Sequence, residues 1–135
     1  MAEGKILIVD DEPDVVTYLT AVLENAGYTA YSAANADDGF EMLKVVEPDV
    51  ICLDVMMPHK LGLTMYLKMK KEVKFQDLPV LIISGVTSEA EFEFRKLVPD
   101  ESIPPPEEYI EKPINRKQFL DCITRLIEKK KKIEN

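Results

Sequence analysis

Four short runs of uninterrupted apolar residues constrain this chain more than any other feature: Ile6-Leu7-Ile8-Val9, Val50-Ile51-Cys52-Leu53, Val80-Leu81-Ile82-Ile83 and the shorter Tyr109-Ile110. Runs of this length without polar alternation belong to strands covered on both faces. The segments between them have helical length. Val15, Leu19, Val22, Leu23 and Ala26 recur with a 3.6-residue period, opening at Asp11 and Pro13 and stopping at Gly27. Residues 28–33 read as a second, edge-like strand, and Ala36, Phe40 and Leu43 mark a helix that closes before Pro48. Further helices are expected over about 64–72 and 88–98, and a fifth where Phe119, Ile123, Leu126 and Ile127 recur. The pattern is strand then helix, five times over.

Buried strands alternating with helices predict an α/β fold, a parallel sheet with helices on both faces. Ligands of such sheets bind at the carboxyl ends of the strands. What ends each strand therefore carries the functional information. The first run ends in Asp10-Asp11, the third strand in Asp54, the fourth in Ser84-Gly85 and the fifth in Lys112-Pro113. One rim then gathers three carboxylates, a hydroxyl and an ammonium.

Three carboxylates brought this close repel one another unless a cation sits among them or some hold protons. The donors are oxygens, with no zinc-like Cys or His spacing, so Mg²⁺ is the fitting ion. A carboxylate beside such an ion can attack phosphorus and form an acyl phosphate. Ser84 and Lys112 would then serve the remaining phosphoryl oxygens.

With these pieces in place the sequence resembles the receiver domain of two-component response regulators. The resemblance rests on Ile6-Leu7-Ile8-Val9-Asp10-Asp11-Glu12-Pro13, on Asp54-Val55-Met56-Met57-Pro58 with Gly62 following, on Ile83-Ser84-Gly85, and on Tyr109-Ile110-Glu111-Lys112-Pro113. It implies a flavodoxin-like, doubly wound five-stranded sheet of order 2-1-3-4-5 flanked by five helices. It implies Asp54 as the phosphoacceptor for a phosphohistidine of a sensor histidine kinase or phosphotransfer protein. Mg²⁺ would be held by Asp11, Asp54 and the backbone carbonyl of Met56, with Asp10 acting through water. Ser84, Lys112 and Tyr109 would contact the phosphoryl group or switch with it, and the bond to Pro113 is expected to be cis. A downstream protein would read the face of the fourth helix, fifth strand and fifth helix, and homodimerisation on phosphorylation is a further implication. Such a domain catalyses its own phosphorylation and autodephosphorylation and is not a turnover enzyme.

Composition narrows the alternatives. The 135 residues are one domain's worth, and a net charge of -8 argues against a surface that grips nucleic acid. No apolar stretch has the length of a membrane span, so a cytoplasmic protein is expected without direct contact to nucleic acid or membrane. Residues 1–128 are read as the receiver domain and 129–135 as a basic tail continuing the last helix. Its lysines, Lys129 to Lys132, suit a helix C-terminus. Cys52 and Cys122 lie in apolar surroundings and are expected as buried, reduced thiols. His59, the only histidine, is read as a loop side chain. A phosphorylation-independent scaffold is the alternative function. A small phosphohydrolase is disfavoured, because Met56 stands where a second acid/base aspartate would be needed. One departure from the family stands out: five of the nine prolines fall between Pro99 and Pro113, which predicts a stiff extended loop. That loop is either a plain surface insertion or an enlargement of the partner face beside Tyr109.

Overall fold

The computed structural model describes residues 3–54, 61–84 and 98–134. Five parallel strands form one sheet in the order β2-β1-β3-β4-β5, as the resemblance implied. They are β1 (Lys5–Val9), β2 (Thr29–Ala33), β3 (Val50–Asp54), β4 (Val80–Ser84) and β5 (Glu108–Glu111). Four helices are present among the described residues: α1 (Pro13–Asn25), α2 (Ala36–Val46), α3 (Leu61–Lys71) and α4 (Arg116–Glu134). The count is one fewer than expected because the helix anticipated over about 88–98 falls almost wholly outside the described residues, as do Met56 and His59. Val98, its expected last residue, is described and is not helical.

The uninterrupted apolar runs resolve into two interleaved faces. Leu7, Val9, Ile51, Leu53, Val80 and Ile82 point to the layer of α2 and α3, packing with Phe40, Leu43, Met65, Tyr66 and Met69. Their alternates Ile6, Ile8, Val50, Cys52, Leu81 and Ile83 meet α1 and α4 through Leu19, Leu23, Phe119, Ile123 and Leu126. A strand residue facing solvent would forfeit about 1.5–3 kcal/mol of burial, so both layers are needed to bury these runs. Two of the helix ends are held by local chemistry. Asn35 caps α2 by accepting the Asp38 N–H at 2.8 Å, and Gly27, at φ 100°, turns the chain out of α1 into β2. Both cysteines are buried and free of disulfides.

The proline-rich stretch before β5 contains neither helix nor strand over 98–107. It is nonetheless anchored. The Tyr66 hydroxyl donates to the Pro104 carbonyl at 2.6 Å, Ile103 packs on the α2–α3 core, and Asp100 closes a turn by accepting both the backbone N–H and the hydroxyl of Ser102. The stiffness predicted from proline content is thus reinforced by contacts that only the fold supplies. Pro99, Asp100, Glu101, Pro104 and Pro105 remain exposed.

Candidate phosphoryl and metal site

Parallel pairing decides which residues meet. β1 and β3 are neighbours, with Val9 opposite Leu53, so the residues that follow in each, Asp10 and Asp54, come together at the carboxyl edge. Asp54 lies opposite Ile83 on β4, and Ser84, one residue on, lies opposite Glu111 at the end of β5. Lys112 follows, joined to Pro113 by a cis peptide bond. Four strand ends therefore deliver Asp10, Asp54, Ser84 and Lys112 to one rim. Tyr109 stands further back on β5, half-buried against the α2–α3 core and opposite Ile82.

The side chains of Asp10, Asp11, Glu12 and Asp54 bring one carboxylate oxygen each to within 4.8 Å of one another. Asp10 and Asp54 are buried, 1% and 2% exposed, while Asp11 and Glu12 reach solvent. Asp10 Oδ1 accepts the Glu12 N–H at 2.9 Å, which fixes the turn from β1 into α1. Its other oxygen, Oδ2, is buried without a hydrogen bond from any described residue, although it lies 3.3 Å from Lys112 Nζ. Burial and the neighbouring Asp54 charge hold the Asp10 carboxyl above the usual carboxylate range, against the opposing pull of the Glu12 N–H and Lys112.

Lys112 is the counterweight. Its Nζ lies 2.5 Å from Glu12 Oε1, 3.3 Å from Asp10 Oδ2 and 3.4 Å from Asp54 Oδ2. Burial disfavours its charge, but the Glu12, Asp54 and Asp10 carboxylates outweigh that and push its pKa upward. Among the described residues one ammonium meets three members of a cluster of four carboxylates, so negative charge is in excess there. That excess, an all-oxygen donor set among the described residues and a buried Asp10 oxygen without a hydrogen bond from them fit a small, hard divalent cation.

Of the residues singled out by sequence, Asp10, Asp11, Asp54 and Lys112 converge, Ser84 ends its strand on the same rim, and Met56 lies outside the described residues. Sequence reasoning missed Glu12 as a member of the site. The available signal was its place directly after the aspartate pair, but a glutamate before Pro13 reads first as the start of a helix.

A doubly wound sheet with this acidic rim and a lysine after its last strand defines a class, and the match is direct: residues 6–124 correspond to the response regulator receiver domain, and the chain belongs to that family. It is 28% identical over 124 residues to the protein PilH of Pseudomonas aeruginosa, a match that covers 92% of this chain and 98% of PilH. It is 32% identical over 81 residues to the protein Rrf1 of Nitratidesulfovibrio vulgaris, covering 60% of this chain and 59% of Rrf1. Among solved structures, the chemotaxis protein CheY4 of Vibrio cholerae shares the fold with a TM-score of 0.79 at 24% identity, covering 93% of this chain and 99% of that one. NtrX of Brucella abortus reaches a TM-score of 0.83 at 24% identity, over 98% of this chain but 29% of NtrX. The same unit thus makes up nearly all of some proteins and a fraction of others.

Proposed function

We propose that this domain accepts a phosphoryl group on Asp54 from the phosphohistidine of a sensor histidine kinase or phosphotransfer protein, and signals the event through a protein-binding surface. The observation that carries this reading is the buried Asp54 carboxylate at the end of β3, 3.4 Å from Lys112 Nζ and inside a cluster of four carboxylates.

In the transfer an Asp54 oxygen bonds to phosphorus while the phosphorus–nitrogen bond breaks, and the histidine nitrogen leaves with the electron pair and takes up a proton. Lys112 supplies positive charge to one phosphoryl oxygen and Ser84 a hydroxyl to another. Mg²⁺, held by Asp11, Asp54 and the Met56 carbonyl with Asp10 acting through water, would neutralise phosphoryl charge and allow the carboxylates to stay ionised together. Asp10 keeps the β1–α1 turn in place through the Glu12 N–H. Tyr109 moves with Ser84 to report the change, and the surface that delivers it is made by β5 and α4 with the segment before β5. The domain promotes its own phosphorylation and dephosphorylation without turning over external substrates, and acts in the cytoplasm. No helix among the described residues is long and apolar enough to cross a membrane.

Incubation with Mg²⁺ and acetyl phosphate, followed by intact-mass measurement, tests the reading. One phosphoryl adduct on the wild type and none on Asp54→Asn is the expected result. A wild type that stays unlabelled with several donors would instead identify a phosphorylation-independent scaffold.

A further inference from the structure

Among the described residues Glu12 is the nearest carboxylate to Lys112, closer at 2.5 Å than Asp10 at 3.3 Å or Asp54 at 3.4 Å. It is also the residue that opens α1, yet its side chain makes no capping hydrogen bond to the helix. Its backbone N–H is tied to Asp10 Oδ1, so the main chain is fixed while the carboxylate turns across the rim to Lys112. The partners differ sharply in exposure. Glu12 is 58% exposed and Lys112 only 16%, so the ammonium is held at the solvent edge of the site.

We propose that Glu12 is the resting counter-ion of Lys112 and a brake on phosphorylation, holding the ammonium in a position it must leave to serve a phosphoryl group on Asp54. The inference rests on the phosphoacceptor reading above and adds a residue to it. A phosphoryl group carries more negative charge than the glutamate and sits deeper, where that charge is less screened. Lys112 therefore exchanges Glu12 for the phosphoryl oxygen. The released carboxylate already faces water and rehydrates at little cost. The brake is consequently soft: partly exposed ion pairs of this kind correspond to a factor of about two to five in an equilibrium.

The test is a double-mutant cycle between Glu12→Gln and Lys112→Met. It is read by the Mg²⁺-dependent affinity for beryllofluoride, a tetrahedral phosphoryl mimic, and by the rate of labelling with acetyl phosphate. Glu12→Gln should raise both by about two- to fivefold, the gain should shrink at high salt, and it should vanish in the Lys112→Met background. An equal gain in that background would mean simple charge repulsion and overturn the proposal. So would no gain at all, or a loss of Mg²⁺ affinity in Glu12→Gln, which would make Glu12 a metal ligand. Lys112→Gln repeats the cycle should the methionine variant not fold. A wild type labelled on Asp54 with an unchanged Glu12→Gln variant defeats this inference alone, whereas an unlabelled wild type defeats both readings.

Discussion

The two rims of the sheet solve the problem of charge in opposite ways. At the carboxyl edge, among the described residues, one lysine meets three members of a four-carboxylate cluster and a buried oxygen of Asp10 goes without a hydrogen bond. At the amino edge Asp49 and Glu107 are each met by lysines and a backbone N–H. Asp49 Oδ1 takes Lys130 Nζ at 2.7 Å and its Oδ2 takes the Lys5 N–H at 2.8 Å. Glu107 accepts the Val80 N–H at 3.0 Å and lies 3.9 Å from both Lys70 and Lys129. Charge balanced in this way ties elements together, whereas charge left in excess costs stability and is kept where a ligand can use it. The lysines near the end of α4 thus belong in part to the amino edge, with Lys129 and Lys130 acting as anchors.

The largest expected effect comes from emptying the amino edge. Glu107→Ala removes the acceptor of Val80 and the counter-charge of Lys70, whose side chain is only 3% exposed, and should cost about 2–4 kcal/mol in urea unfolding. Lys70 keeps the Gln76 and Leu78 carbonyls, so a smaller loss would show that these suffice. Next, Mg²⁺ should raise the melting temperature of the wild type, because a ligand that binds only the folded state stabilises it. Asp10→Asn should remove most of that response while stabilising the ion-free protein by about 1 kcal/mol, since it deletes a buried charge but keeps the acceptor for Glu12. Destabilisation by Asp10→Asn would break the contrast between the rims.

Acidification should act on the two rims with opposite sign. Burial raises the Asp49 carboxyl, but the Lys130 and Lys5 contacts win and hold it below its ordinary value of 3.8. Its contribution is fully present above that value and is lost as pH falls through the depressed folded one. Asp10, held above 3.8, costs stability while ionised, and that cost is relieved as pH falls through its raised folded value. In Asp49→Asn the loss of stability below about pH 4 should therefore be shallower than in wild type, whereas in Asp10→Asn the gain of stability between the raised folded value and 3.8 should disappear, both measurable as unfolding midpoints against pH. The smallest effect belongs to the exposed Lys44–Glu41 pair at 3.2 Å, where Glu41→Gln should change stability by less than about 0.5 kcal/mol.

These contrasts also mark how far the sequence could be read. The strands were legible because a run such as Val50-Ile51-Cys52-Leu53 has no solvent-facing alternate, and the carboxyl rim followed because parallel pairing aligns strand ends. The amino edge was not legible. Asp49 and Lys130 are 81 residues apart and Tyr66 and Pro104 38 apart, and nothing local in either member announces the other. Glu12 escaped for a different reason. Its neighbours explained it too easily as a helix opening, and only the reach of its side chain to Lys112, 100 residues away, shows where its charge goes.

The buried cysteines carry a consequence of their own. Burial pushes the Cys122 thiol up to about 11, and burial raises the Cys52 thiol further still. Nucleophilic sulfur is the thiolate, so near neutral pH neither residue offers an appreciable nucleophile or a surface to an alkylating reagent. The folded domain should therefore react slowly with maleimides, and a single cysteine placed at exposed Glu101 should be the faster-reacting thiol. A reporter dye could then be fixed to the anchored proline-rich segment without first removing either native cysteine.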